Sequence, residues 1–194
     1  MMPAGRVVNT PPAVEPLTLG DAKSHLRVIH DHEDALIETL IKAAREIAED
    51  RTWRAFITQT WDVHYDGFGE RLTLPLPPLQ EVVHLEYVDA SDETQTLDPS
   101  EYRVHAGSEP ATITAVNAWP AVRTGPQSVT VRVRAGYGNA PEDVPEKYRS
   151  AMRLLVGNLY EHREAVVVGR ASAVELPWAA RVLLDSDHAR VMSG

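Results

Sequence analysis

The spacing of apolar residues changes twice along this chain of 194 residues, and this limits the folds open to it. Between residues 35 and 51, apolar side chains recur every three or four positions, as on one face of an amphipathic helix. The opposite face is charged and includes Arg45 and Glu49. Between residues 128 and 135, three valines instead alternate with polar residues, which is the period of a half-buried strand. The chain therefore combines helical and extended regions.

The same patterns predict further helices and strands. Further helices are predicted at about 18–28, where Thr18 and Asp21 form a variant capping box, at 145–163, and at 177–185. Further strands are predicted at 59–66, 82–88, 102–105 and 111–114. The predicted fold class is α+β. It is a small helical bundle, with two helices at the N-terminal side and a helix and a short helix at the C-terminal side, interrupted by an antiparallel β domain.

The predicted domain boundaries follow from this order. Residues 17–58 and 140–194 form the helical domain, and residues 59–139 form the inserted β-rich domain. Residues 1–16 contain four prolines and few large apolar residues, so we expect a flexible N-terminal arm. The arm lacks the apolar core of a signal peptide, and no apolar run approaches the roughly 20 residues of a membrane span.

Charge and composition exclude several classes of protein. The formal net charge is −9, which argues against a protein that wraps nucleic acid through its phosphates. Residues 59–139 hold eleven acids and five arginines, a net of −6, and therefore most of the negative charge. The chain has no cysteine, which excludes disulfides, thiol nucleophiles and cysteine-built metal sites.

No motif predicts catalysis, a metal or a cofactor. His30, His32, Glu33 and Asp34 are close in sequence, but their spacing fails the usual helical metal motif and favours a polar helix start. The loop that begins at Gly136 follows a strand, yet it lacks the glycine and lysine pattern of phosphate-binding loops and favours a tight turn. We therefore predict a protein that is not an enzyme.

The order of several degenerate motifs is more specific than any one of them. They are residues 19–28, 31–35, 44–52, 57–61, 74–79, 87–89, 97–104, Trp119-Pro120, 129–138, Val144-Pro145, Leu155, 159–164, Leu176-Pro177 and Leu183-Leu184. In this order the chain resembles the head–tail connector (adaptor, or head-completion) family of long-tailed phages and gene transfer agents, in its longer version with a β insert. The resemblance covers about residues 17–185. The family normally has Asn where this chain has His162, which we interpret as a tolerated variant.

The resemblance implies a structural role. Such adaptors form a ring, typically of twelve subunits, under the portal of the capsid, and they join it to a stopper, head-completion or tail protein. DNA passes through the ring without specific binding, and no membrane is involved. The implied location is the neck of a virion or virion-like particle that is assembled in the cytoplasm of a bacterial host. The family's C-terminal segment reaches the portal, which by position implies a portal-binding role here for Leu176, Pro177, Trp178, Val182, Leu183 and Leu184.

The resemblance also leads to a hypothesis about the acidic residues 59–139. Acidic walls repel phosphate, so we expect part of the β domain to face the lumen or the tail side. The candidate residues are Glu81, Glu86, Asp89, Asp92 and Glu93. Two alternatives stay open on sequence grounds. One is a different neck or tail ring component, such as a stopper or tail terminator. The other is a small hydrolase or nucleotide-binding enzyme that uses the loop from Gly136 to Pro145.

Overall fold

The computed structural model describes residues 1–162 and 176–185 and divides the chain into two compact units. The β unit contains Met1–Ala13 and Trp53–Tyr137. The helical unit contains Val14–Thr52 and the described part of Gly138–His188. The predicted α+β class, a helical bundle interrupted by antiparallel strands, is confirmed.

The described helices lie in the helical unit. They are α1 (Leu19–Leu26), α2 (Asp34–Thr52), α3 (Glu146–Glu161) and α4 (Trp178–Asp185). The Thr18 hydroxyl accepts the backbone N–H of Asp21, and the Asp21 carboxylate accepts the backbone N–H of Thr18, which completes the predicted capping box. None of the helices in the described ranges is long and apolar enough to cross a membrane.

The apolar stripe of α2 forms the centre of the helical core. Ile37, Ile41, Ala44 and Ala48 are buried, and α2 packs against α3. Helix α3 buries one face, which consists of Tyr148, Ala151, Met152, Leu155 and Val156. The three-to-four residue spacing therefore predicts which face of each helix is covered.

The charged face of α2 differs from the prediction at two positions. Arg45 and Glu49 are only 5% and 7% exposed. The Arg45 guanidinium donates to Glu15 at 2.8 Å and to Glu49 at 2.7 Å, because the chain before α1 carries Glu15 to this side of α2. Burial alone would lower the pKa of Arg45, but these two carboxylates raise it and keep the side chain charged.

The β unit contains two antiparallel sheets. The five-stranded sheet has the order β1-β2-β8-β4-β5, and the three-stranded sheet has the order β3-β7-β6. The strands are β1 (Gly5–Thr10), β2 (Gln59–Tyr65), β3 (Leu72–Leu74), β4 (Leu79–Val88), β5 (Thr94–Thr96), β6 (Tyr102–His105), β7 (Ala111–Ala115) and β8 (Val129–Ala135). The buried core draws on both sheets, with Val63, Leu85 and Val131 from the larger and Leu72 and Ile113 from the smaller.

The N-terminal segment is the main departure from the prediction. The residues expected to form a flexible arm include strand β1, which pairs with β2 so that Val7 lies opposite Asp62. The Met1 carbonyl accepts the backbone N–H of Thr73 at 3.0 Å, and the Arg6 guanidinium lies 4.7 Å from the Trp53 ring centre. The segment is ordered because backbone pairing along β2 and a cation–π contact replace the large apolar residues that it lacks.

Candidate assembly surfaces

Helix α4 carries the segment that the resemblance assigns to portal binding. Ala180 and Leu184 are fully buried and fix the helix to its own unit, where it packs against α2 and α3. Trp178 and Val182 are 77% and 49% exposed. These two residues are four positions apart, so they lie on one face of α4. The helix therefore has an inward apolar face and an outward apolar face.

The ends of α4 show how it is held. The Arg51 guanidinium donates to both carboxylate oxygens of Asp185, at 2.7 and 2.8 Å, and this pairing raises the pKa of Arg51. Leu176, Pro177 and Leu183 are half-buried. The six predicted residues thus divide by exposure: Trp178 and Val182 are accessible, three are partly covered, and Leu184 belongs to the core of the helical unit.

The five predicted acidic residues occupy two places in the β unit. Glu81 and Glu86 lie on β4, whereas Asp89, Asp92 and Glu93 lie in the turn between β4 and β5. Glu81 pairs with Arg134 at 2.6 Å, and Asp92 pairs with Arg123 at 3.1 Å. The candidate surface is therefore partly neutralised by arginines, which is not evident from the sequence alone.

Asp89 shapes the turn between β4 and β5. Its carboxylate accepts the side-chain amide of Gln95 at 2.9 Å and the backbone N–H groups of Glu93 and Ser91 at 3.1 and 2.8 Å. These hydrogen bonds, led by that from Gln95, lower the pKa of Asp89. Asp89 is thus a structural turn residue as well as an acidic one, while Glu93 is exposed.

Polar side chains cover one face of the five-stranded sheet, and no local sequence motif predicts this surface. Arg132 donates to both Asp62 carboxylate oxygens, at 2.6 and 2.7 Å, and lowers the pKa of Asp62. His64 and Thr130 are hydrogen-bonded at 3.0 Å on the same strand pair. Strand alternation identifies these residues as outward-facing, but their pairing depends on the register of β2 and β8.

The His30 cluster has the geometry of a helix start. The two imidazole rings of His30 and His32 stack at 3.7 Å, and Lys23 contacts Asp31 and Asp34 at 2.6 and 2.7 Å. Among the described residues, no group of three or more His, Cys, Asp or Glu side chains is placed to hold a metal ion.

The backbone N–H groups of the loop at Gly136 are hydrogen-bonded within the chain. The N–H of Gly136 donates to the Pro78 carbonyl at 3.0 Å, and the N–H of Tyr137 donates to the Phe56 carbonyl at 2.8 Å. Gly136 has a φ of 135°, and a Cβ there would lie 2.6 Å from the backbone of Ile57. The glycine is therefore needed for close backbone packing, and these amides are not directed at a phosphate.

Comparison with known proteins agrees with the predicted resemblance. Residues 16–83 match the family model of the phage gp6-like head-tail connector protein. The matched region spans α1 and α2 of the helical unit and β2, β3 and half of β4 of the β unit. Among curated protein sequences, none matches the chain significantly.

Solved structures extend the likeness beyond the matched residues. A chain in the neck of an empty gene transfer agent (GTA) particle, computed with C6 symmetry, is 26% identical with a TM-score of 0.77. A chain in the neck of a native GTA particle, computed with C12 symmetry, is 26% identical with a TM-score of 0.72. A chain in the virion of a native GTA particle is 24% identical with a TM-score of 0.78 and shows the shared fold. Each comparison covers 97% of this chain and 98% of the other.

Proposed function

We propose that this chain is a structural ring protein of the neck of a phage or gene transfer agent particle. The observation that carries the proposal is the near full-length likeness to chains in GTA necks, together with the connector-family match at residues 16–83. The ring has twelve copies, in line with the C12 symmetry of the similar neck. It lies at the head–tail junction and has a scaffolding role rather than an enzymatic one.

The helical unit joins the ring to the portal through α4. Trp178 and Val182 supply an exposed apolar surface, while Leu184 and the Arg51–Asp185 pair hold the helix in place. Large aromatic side chains that are covered on binding are typical energetic centres of interfaces. The portal surface that fits this helix is therefore an apolar pocket wide enough for an indole ring.

The ring also contacts a stopper, head-completion or tail protein on its other side, and DNA passes through its lumen without specific binding. A net charge of −9 supports a conduit that repels phosphate. The ion pairs of Glu81 and Asp92 leave Glu86, Asp89 and Glu93. Because the Asp89 carboxylate is held by hydrogen bonds within its turn, we assign this repulsion to Glu86 and Glu93.

The first experiment combines the purified full-length chain with the portal protein of the same particle and images the mixture by negative-stain electron microscopy. The proposal expects a ring stacked coaxially on the portal. Rings that bind a tail tube but not the portal would instead identify a tail terminator, and rings that bind only below a different neck protein would identify a stopper.

The conduit role has its own test. Particles that carry the double change Glu86→Gln and Glu93→Gln are expected to release DNA more slowly, because the lumen then repels phosphate less. Glu38→Gln is the control, since Glu38 is an exposed acid in the helical unit. Equal rates of DNA release from the double variant, the control and the unchanged particle would contradict the acidic-lumen proposal.

A further inference from the structure

The five-stranded sheet has two outer edges. Among the described residues, no strand pairs with the outer side of β1 or of β5. The edge at β1 is six residues long, and its Val7 and Val8 side chains are 58% and 41% exposed. An edge strand presents unpaired backbone N–H and C=O groups, which can pair with a strand from another chain.

The two edges differ in how they are protected. Strand β5 has only three residues, and short edge strands resist unwanted pairing. Strand β1 contains no proline and one charged residue, Arg6, whose guanidinium lies 4.7 Å from the Trp53 ring centre and 5.2 Å from that of Trp61. A register shift occurs only near its end, between Val8 and Thr10. Most of β1 therefore lacks the short length, prolines, multiple charges and bulges that usually block the addition of a strand.

The charges near the two edges have opposite signs. Residues 1–14 contain one arginine and no acid. Residues 89–98, which contain β5, include four acids and no lysine or arginine; Arg123 pairs with one of these acids, Asp92, and three remain without an arginine partner in this segment. Complementary charge favours a contact between unlike edges and disfavours a contact between two copies of β5.

The positions of the edges suit a ring. Strands β1 and β5 lie at opposite ends of one sheet, separated by four inter-strand spacings or roughly 19 Å. A contact between two different edges is head-to-tail and can repeat until a ring closes, whereas a contact between two β1 edges is self-complementary and stops at a dimer.

From these observations we propose that β1 of one copy pairs with β5 of the next copy, so that the sheet continues from subunit to subunit. The proposal rests on the ring assembly proposed above and identifies the contact that forms it. The partner is thus a second copy of this chain, and the pairing adds backbone hydrogen bonds at an edge whose side chains carry little charge.

The register of the sheet determines which side chains share a face. Val7 lies opposite Asp62, and Thr96 lies opposite Glu86, on the polar face that also contains Thr130. Val8 lies opposite Trp61, on the other face. In a continued sheet, Val7 of one copy would therefore lie on the same face as Thr94 and Thr96 of the next copy, and Val8 would not. The proposal places Val7 beside one of these two threonines.

Disulfide trapping tests this arrangement, since the chain has no cysteine of its own. Full-length Val7→Cys is mixed with full-length Thr96→Cys or Thr94→Cys under mild oxidation, and mixed dimers are measured on non-reducing gels. Neighbouring strands lie about 4.7–4.9 Å apart, close to the range of about 3.5–4.5 Å between Cβ atoms that a disulfide needs. Val8→Cys mixed with Thr96→Cys is the matched control.

The expected result is a mixed dimer from Val7→Cys with at least one threonine variant, severalfold above the Val8→Cys control, and a ladder of oligomers from the corresponding double variant. Equal yields from Val7→Cys and Val8→Cys, no mixed dimer with either threonine variant, or a dominant Val7→Cys homodimer would each overturn the proposal. Imaging of the unchanged chain on the portal reports separately on the proposed function. A stacked ring without cross-linking refutes only the edge contact, and cross-linking without a portal-bound ring refutes only the neck role.

Discussion

Replacing Trp178 with alanine separates a docking role from a folding role. The side chain is 77% exposed, so of the roughly 150–250 Å² that a tryptophan can bury, about 120–190 Å² is available to a partner. At about 25 cal/mol per Å², full coverage is worth at most about 3–5 kcal/mol. The change is therefore expected to weaken portal binding by about 1–4 kcal/mol, which is about a fivefold to a thousandfold increase in Kd.

The folding effect of this change should be small. Surface substitutions usually alter the free energy of unfolding by less than about 0.5 kcal/mol. Leu184→Ala on the same helix is the contrast, because Leu184 is fully buried and its truncation should cost about 2–5 kcal/mol of stability. Ile29→Ala is the matched control for binding, since Ile29 is 96% exposed and lies in the same unit outside α4.

Two measurements decide the outcome: biolayer interferometry of each variant against immobilised portal, and urea unfolding followed by circular dichroism. The reasoning is refuted if Trp178→Ala leaves the Kd unchanged while lowering the free energy of unfolding as much as Leu184→Ala. It is also refuted if Ile29→Ala weakens portal binding as much as Trp178→Ala, because the effect would then not be specific to α4.

Two further predictions concern the β unit. Arg132 lowers the pKa of Asp62 in the folded chain. The Asp62–Arg132 pair therefore stabilises the fold fully above the unfolded pKa near 3.8, and this contribution is lost as the pH falls through the folded pKa. Asp62→Asn should flatten this acid dependence of the free energy of unfolding, and an unchanged pH profile would contradict the prediction. Gly136→Ala places a Cβ against backbone at a positive φ and should lower the free energy of unfolding by more than about 1 kcal/mol. Gly107→Ala is the control, because the space around Gly107 is open, and it should change the free energy of unfolding by less than about 0.5 kcal/mol. Equal melting temperatures for these two variants would refute the strain argument.

The elements with a long regular period could be predicted from the sequence. Helix α2 repeats its apolar stripe over five turns, and β8 alternates without interruption, so each burial pattern is encoded locally. Strands β3 and β5 have three residues each, too few to show a period. Strand β1 has no apolar face that a sequence pattern could show, because its last four residues are all exposed; its order depends on pairing with β2.

The candidate surfaces could be predicted only in part. The sequence indicates that the C-terminal segment is apolar, but the division between inward-facing Leu184 and outward-facing Trp178 depends on how α4 packs against α2 and α3. Likewise, the acidic character of the insert is a matter of composition. The pairing of Glu81 with Arg134 follows from the register of β4 and β8, which no local pattern specifies.

The most direct test of the neck role is electron cryomicroscopy of purified particles that contain an epitope-tagged copy of this chain, with an antibody fragment bound to the tag. The account predicts fragment density in a symmetric ring at the head–tail junction, next to the portal and around the DNA path. Tagged chain that is missing from intact particles, or fragment density at the tail tip or on the capsid faces, would contradict it.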